Sequence, residues 1–291
     1  MTKKVLIIGG SGMLGTSLLN YLQGINEYYI LFSQSFSKGG KYRGDFRDVN
    51  ESSSFLDEIK PDIIINLAAL TNVDKCEINQ NDAYLLNVKI VENITFWLKN
   101  NKFSKLLHIS TDHIYDSLSL NSENDVVIKN SYALSKYAGE LACDLERTII
   151  LRTNFIGRSL LESRKSFSDW LITSLNNNDE ISVLKDVYFS PLEINDLCKY
   201  IHLSMLNIDT TGIYNLGSCD SINKADFCLS IGRKLGFSCE NIKVIEAKDA
   251  AFLKTTRPTG MGMNCEKFMK SFNTKLPTIS ETIEKVIEAY K

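Results

Sequence analysis

Along the chain, short apolar runs alternate with longer stretches in which apolar residues return every three or four positions. Residues 4–8 (KVLII) form the first run and read as a strand. Residues 13–23 carry Leu14, Leu18, Leu19 and Leu22 on one face, which is helical spacing. Residues 28–32 predict a second strand, and residues 52–59 a helix that stops before Pro61. Residues 62–67 include Ile63, Ile64 and Ile65, and consecutive apolar residues suit a strand covered on both faces. Residues 82–100 read as one long helix with Ala83, Leu86, Ile90, Val91 and Ile94 facing inward. Strands at 104–110 and 148–152 then flank a helix at 132–145.

Strand and helix in this rhythm predict an α/β chain built on a Rossmann-type, doubly wound parallel sheet. After Thr153 the rhythm weakens. Residues 195–206 read as a helix and Gly212–Leu216 as one more strand, whereas 225–235 and 278–290 read as helices without a strand repeat. The expected division is a dinucleotide-binding domain of residues 1–153 plus about 195–217, and a smaller, mixed C-terminal substrate lobe of about 154–194 plus 218–291. No low-complexity linker separates the two and no internal repeat occurs.

Composition narrows the picture. The 291 residues are 44% hydrophobic and 23% charged with a formal net charge of -2, and the lysines are dispersed, so a nucleic-acid partner is not expected. No apolar run approaches the roughly 20 residues that span a bilayer. Two lysines precede Val5 to Ile8 in the manner of a signal peptide, but the run breaks at once into glycines, so a buried strand and a cytoplasmic chain are expected. The seven cysteines are odd in number and include no CxxC pair, as reduced thiols would be. The three histidines are not spaced as ligands, and no metal is expected.

Candidate chemistry sits at two places. Gly9, Gly12 and Gly15 space a GxxGxxG turn between the first strand and the first helix. Such a turn lets backbone approach a pyrophosphate, which the free N–H groups of the helix start then bind. Gly9, Ser11, Gly12, Met13 and Leu14 are therefore cofactor candidates. The second strand ends Leu31-Phe32-Ser33-Gln34-Ser35 with no acid to hold a ribose 2′-hydroxyl. A 2′-phosphate is then not repelled, and Ser33 or the nearby Lys38 suits it. NADPH is the expected cofactor, with NADH the alternative.

Tyr132 and Lys136 form YxxxK at a helix start, and positions four apart share a face. With 12 tyrosines in the chain and lysine at roughly one residue in ten, about one such spacing arises by chance. The partner decides its meaning. Thr111 ends a strand at the edge where such sheets bind ligands. Thr111, Tyr132 and Lys136 together make a hydroxyl, phenol and ammonium suited to reducing a ketone. A strand-capping threonine beside a surface tyrosine is the plainer alternative.

Taken in order, GGSGMLG, DFRDV, INLAALTNVDKCE, LLNVKIVENI, STDHIYD, NSYALSKYAGE, ILRTNFIG and RPTGMGMNCEKF resemble the dTDP-4-dehydrorhamnose reductase family over nearly the whole chain. The resemblance implies an NAD(P)-dependent short-chain reductase acting on a nucleotide-linked 4-keto-6-deoxysugar for surface polysaccharide. It implies that Asp45 and Phe46 border the adenine, that Ala68, Ala69 and Thr71 wall the cofactor and substrate, and that Asn87 supports the catalytic strand. It implies Thr71, Val73, Thr111, Asp112, His113, Phe155 and Arg257 as substrate contacts. The sequence leaves the oligomeric state open, a homodimer being one possibility. The chain departs from the family at His113, Asn154, Phe155, Met261 and Met263, so the catalytic set is kept while the pocket wall changes. A combined epimerase and reductase resembling GDP-fucose synthase, with His113 as an acid–base group, is one alternative. A non-catalytic NADP-binding subunit resembling the β subunit of methionine adenosyltransferase is another.

Overall fold

The computed structural model describes residues 2–25, 29–34 and 44–291; of Ile30, Phe32 and Gln34 only the backbone is described. The chain divides into two compact units. The first comprises residues up to Thr111, Asn130–Arg152 and Cys198–Tyr214; the second comprises Asp112–Lys129, Thr153–Leu197 and Asn215–Lys291. The second unit is only slightly the shorter in chain. Residues 112–129 fall in the second unit, whereas the sequence reading assigns them to the first. That stretch holds no strand or long helix by which its pattern could be placed.

In chain order the elements begin β1 (Lys3–Ile8), α1 (Met13–Gly24), β2 (Tyr29–Gln34), α2 (Val49–Ile59) and β3 (Ile63–Asn66). Next come α3 (Val73–Ile78), α4 (Gln80–Tyr84), a π-helical turn (Leu85–Lys89), α5 (Ile90–Asn100), β4 (Lys105–Thr111), α6 (Ser131–Leu141) and β5 (Thr148–Thr153). They continue with β6 (Phe155–Ile156), α7 (Phe167–Asn177), β7 (Ile181–Leu184), β8 (Tyr188–Phe189), β9 (Leu192–Glu193), α8 (Ile194–Leu206) and β10 (Gly212–Leu216). The last are β11 (Ile222–Asn223), α9 (Lys224–Lys234), β12 (Ile242–Ile245), β13 (Gly260–Met261), α10 (Glu266–Ser271) and α11 (Ile279–Glu288).

The main sheet has the order β10-β5-β4-β3-β1-β2. The pairings of β1 with β2, β1 with β3 and β3 with β4 are parallel. Strand order reverses at β1, which has β2 on one side and β3 on the other, and ligands bind at such a point outside the carboxyl ends of strands. Every residue of β3 is buried, as its Ile-Ile-Ile run requires. A cluster of Leu6, Ile8, Phe46, Leu56, Ile64, Ile94 and Trp97 fills one side of this sheet.

Residues 82–100 form no single helix: α4 and α5 are joined by the π-helical turn. An added residue in a turn redirects the side chains after it, and here Asn87 points into the interior, 1% exposed. Apolar spacing alone does not reveal such a turn, because Asn87, the residue it turns inward, is polar.

In the second unit the strands are short. β7 pairs in parallel with β12, β6 in parallel with β9, and β8 lies between β11 and β13. Two-residue strands carry no periodicity, which is why the sequence reads this region as helices. Its core joins Ile156, Leu171, Val183, Phe189, Phe227 and Ile231 to Ile283, Val286 and Ile287 of α11. Among the described residues no helix is long and apolar enough to cross a membrane.

Candidate active site

The glycine turn between β1 and α1 is built by close contact. Gly9 has φ +84°, a conformation that favours glycine, and a Cβ there would lie 2.8 Å from the backbone nitrogen of Ala68. A Cβ on Gly15 would lie 2.5 Å from the Gly9 carbonyl oxygen, which locks α1 onto the turn. The Gly12 N–H donates to the Gly9 carbonyl at 3.0 Å. Gly12 also forms the N-cap of α1, and with no side chain there the helix start carries no side-chain cap. The turn therefore stands beside Ala68 at the strand-order reversal, with Ser11, Met13 and half-buried Ser33 around it. Ser33 is close enough that a Cβ on Gly10 would meet its hydroxyl. Leu14 is 6% exposed and faces the core. Lys38, considered for a 2′-phosphate, lies outside the described residues.

Asp45 and Phe46 lie just before α2. The Arg47 guanidinium grips the Asp45 carboxylate at 2.8 Å and holds its pKa below the ordinary value. The Phe46 ring is fully buried against Phe55, and its carbonyl accepts from Asn93 at 2.9 Å, so its side chain belongs to the core. Ala68 and Ala69 are half-buried, Thr71 is exposed and Val73 buried.

Thr111 ends β4 and is 4% exposed; Tyr132 lies on the first turn of α6 and is 8% exposed. The Asn130 side chain caps α6, accepting from the Ala133 N–H at 2.9 Å. Tyr132 packs with Val73, Cys76 and Ala83. One turn on, the Lys136 ammonium is 3% exposed and donates to the Ile109 carbonyl on β4 at 2.7 Å, two residues before Thr111. The lysine thus ties the tyrosine helix to the threonine strand. Burial pushes the Lys136 pKa down to about 8, against an upward pull from the Glu140 carboxylate. Burial also raises the nearby Cys76 thiol to about 11, which keeps it protonated at neutral pH.

Three supporting groups carry no mark in spacing alone. Asn87 accepts from the Leu70 N–H at 2.7 Å and donates to the Leu70 carbonyl at 3.1 Å and the Ser135 hydroxyl at 2.8 Å. It braces the loop after β3 against α6, and acts on the candidate site through them. α6 approaches the π-helical turn so closely that a Cβ on Gly139 would lie 2.3 Å from the Asn87 carbonyl. Beneath the site, Arg152 of β5 and Glu140 of α6 form a buried ion pair at 2.6 Å, each side chain 1% exposed, and the Ser110 hydroxyl donates to Glu140. The signal was an arginine in the buried run TIILRT, which demands an internal carboxylate. His108 of β4 is 1% exposed, lies 3.2 Å from the Asn66 amide and is kept neutral by burial and by Lys136.

The second unit holds the other expected residues. Asp112 is 1% exposed, and its carboxylate accepts from the Asn154 amide at 2.9 Å. His113 is neutral, its pKa lowered to about 3 by burial and by the positive charges of Lys224 and Arg257. At neutral pH the ring is therefore an imidazole with one N–H donor and one acceptor nitrogen. Phe155 lies on β6 and is half-buried. Arg257 precedes β13, where Gly260 is required because a Cβ would lie 2.1 Å from the Ser117 carbonyl oxygen. Met261 and Met263 are 1% and 0% exposed. The sequence reading sets them in a pocket wall; they are core residues instead.

Comparison with known proteins follows this geometry. The family model described as RmlD substrate binding domain matches residues 3–291. A dTDP-4-dehydrorhamnose reductase of Aggregatibacter actinomycetemcomitans is 28% identical, with 99% of each chain covered. A crystal structure described as a hypothetical dTDP-4-dehydrorhamnose reductase of Sulfolobus tokodaii is 29% identical, with TM-score 0.82 over 94% of this chain and 97% of that one. The fold is also that of a dTDP-4-dehydrorhamnose reductase from Bacillus anthracis str. Ames, in complex with NADP, at TM-score 0.87, 24% identity and 99% coverage of both chains. With a parallel sheet, a glycine turn at its strand-order reversal and a family match over nearly its full length, this chain belongs to the RmlD substrate binding domain family.

Proposed function

We propose that the chain is an NAD(P)-dependent oxidoreductase that reduces the 4-keto group of a dTDP-linked 6-deoxysugar. The observation that carries this reading is the Lys136–Ile109 bond, which joins the Tyr132 helix to the Thr111 strand. The names of the relatives supply the substrate class.

A dinucleotide fits the first unit because the Gly9–Gly15 turn is a cradle that a Cβ would fill. Gly9, Ser11, Gly12, Met13, Leu14, Ser33, Asp45, Ala68, Ala69 and Thr71 would hold it, with Phe46 packed behind them in the core, Asn87 bracing that wall and Tyr132 and Lys136 contributing at the catalytic end. The cofactor, when bound, supplies hydride to the sugar carbon. Tyr132 gives its phenolic proton to the forming alkoxide. The Thr111 hydroxyl holds the same oxygen. The Lys136 ammonium favours the phenolate that remains, since a cation stabilises the anion of a neighbouring acid. Thr71, Val73, Asp112, His113, Phe155 and Arg257 contact the nucleotide-sugar. NADPH is the preferred donor, because no acid follows β2 to repel its 2′-phosphate.

The relatives named as dTDP-4-dehydrorhamnose reductases favour the plain reductase over the combined epimerase reading, and the complete Thr–Tyr–Lys set disfavours a non-catalytic subunit. The free thiols suit a reducing cytoplasm. The deciding experiment follows NADPH oxidation with dTDP-, GDP- and CDP-linked 4-keto-6-deoxysugars. Turnover with the dTDP sugar is expected; oxidation with none of the three overturns the reading.

A further inference from the structure

β3 ends on Asn66, which is 0% exposed and lies in the first unit. Its side-chain oxygen accepts from the Ala68 N–H at 3.2 Å. An asparagine bonded to the backbone two residues on turns the chain. The turn comes directly after the Leu67 N–H has bonded the Ile8 carbonyl of β1 at 2.9 Å. It brings Ala68 against the glycine loop, so that a Cβ on Gly9 would lie 2.8 Å from the Ala68 nitrogen and 3.0 Å from its Cα.

The other end of the amide is committed too. A backbone N–H only donates, so the Asn66 oxygen must face Ala68 and the NH2 group must face the opposite way. There it meets His108 Nδ1, 3.2 Å away on β4, where the two residues are in register. The NH2 group needs an acceptor, so Nδ1 carries a lone pair and the ring proton sits on Nε2. His108 has no other hydrogen-bond partner among the described residues. Burial keeps it neutral, with the Lys136 charge acting in the same sense. An imidazolium would set N–H against NH2 and break the bond. A buried amide left unpaired costs more than one hydrogen bond contributes, so the pair holds the Asn66 side chain in a single orientation.

We propose that Asn66, anchored by His108, is a positioning residue that seats Ala68 against the Gly9 turn and so sets the cofactor crevice at the strand-order reversal. The assignment rests on the reading of that turn as the cofactor cradle. Asn66 touches neither cofactor nor substrate in it and acts through the Ala68 backbone. His108 and Asn66 stand 42 residues apart in the chain, which is why neither shows in the spacing of the motifs.

The test uses the full chain, with NADPH binding titrated by fluorescence. Asn66→Leu keeps the size of the side chain and loses both bonds. It is expected to weaken NADPH binding about 10-fold, with a larger rise in KM for NADPH than fall in kcat. Asn66→Asp keeps the acceptor for Ala68, with His108 then donating from Nδ1, and is expected to recover most of that affinity. A purely structural role would lower the denaturation midpoints of both variants without separating their affinities, and that result overturns the proposal. Should Asn66→Leu fail to fold, nitrogen NMR of the three histidines in the wild-type protein decides. His108 is expected as the Nε2–H imidazole at neutral pH; an Nδ1–H imidazole or an imidazolium overturns the proposal. Unchanged NADPH affinity in Asn66→Leu, beside a wild type that binds NADPH, sinks this assignment and leaves the cofactor reading standing. A wild type that binds neither NADPH nor NADH removes the cofactor reading and this assignment with it.

Discussion

At the residue scale the candidate chemistry depends on one ammonium in a dry place. Lys136 is buried, bonded to the Ile109 carbonyl and close in charge to Glu140. Tyr132→Phe removes the proton donor while leaving the ring that packs on Val73 and Cys76. Turnover is expected to fall by about 10²- to 10⁴-fold, with NADPH affinity, measured by fluorescence titration, largely kept. The lysine itself predicts a pH dependence. Its folded pKa of about 8 lies below the ordinary 10.5, so the folded state holds fewer protons than the unfolded state between those values. Its cost to stability is full below about pH 8 and is relieved as pH rises toward 10.5. Activity that needs the ammonium moves the other way, falling as pH rises through about 8. A pH–rate profile beside a pH series of denaturation midpoints checks both signs. The motif itself was legible, since YxxxK and Thr111 follow from spacing and strand position. The depressed pKa was not, because it comes from burial by residues distant in sequence.

At the element scale, α6 is held by four separate devices: the Asn130 cap, the Asn87 brace at Ser135, the Lys136 bond to Ile109 of β4, and the Glu140–Arg152 pair that links it to β5. Glu140→Gln leaves a buried guanidinium without its counter-charge, and such a loss costs about 3–5 kcal/mol. A double change of Glu140→Met with Arg152→Met is expected to recover more than half of it, because apolar replacements remove both desolvated charges. Denaturation midpoints of wild type, single and double variants measure this; a double variant no better than the single refutes it. The β1–α1–β2 and β3 elements were readable because their periodicity is regular and long. The π-helical turn at Leu85–Lys89 was not, because the residue it turns inward, Asn87, is polar and leaves no mark in the apolar pattern. Nor were β8, β11 and β13, whose two residues each hold no pattern at all.

At the scale of the whole molecule, the two compact units are interleaved in sequence, since each is made of three stretches of chain. A ligand that binds only the folded first unit stabilises it by mass action, by about 2.7 kcal/mol at a hundred times its dissociation constant. NADPH is expected to raise the thermal midpoint more than NADH at equal concentration, and Gly9→Ala is expected to abolish the shift through its φ of +84° and the approach of Ala68. An equal shift with both cofactors overturns the preference for NADPH.

By itself the sequence determined the parallel sheet and the glycine turn, and supplied the hydroxyl, phenol and ammonium of the proposed catalytic set, because strand burial, backbone approach and side-chain spacing are written in short stretches of chain. Tertiary structure alone decided which charges are dry: Lys136 over Ile109 and Arg152 on Glu140. It also decided that Met261 and Met263 are core and that His113 is neutral. The physical reason is that desolvation depends on atoms brought together from remote parts of the chain.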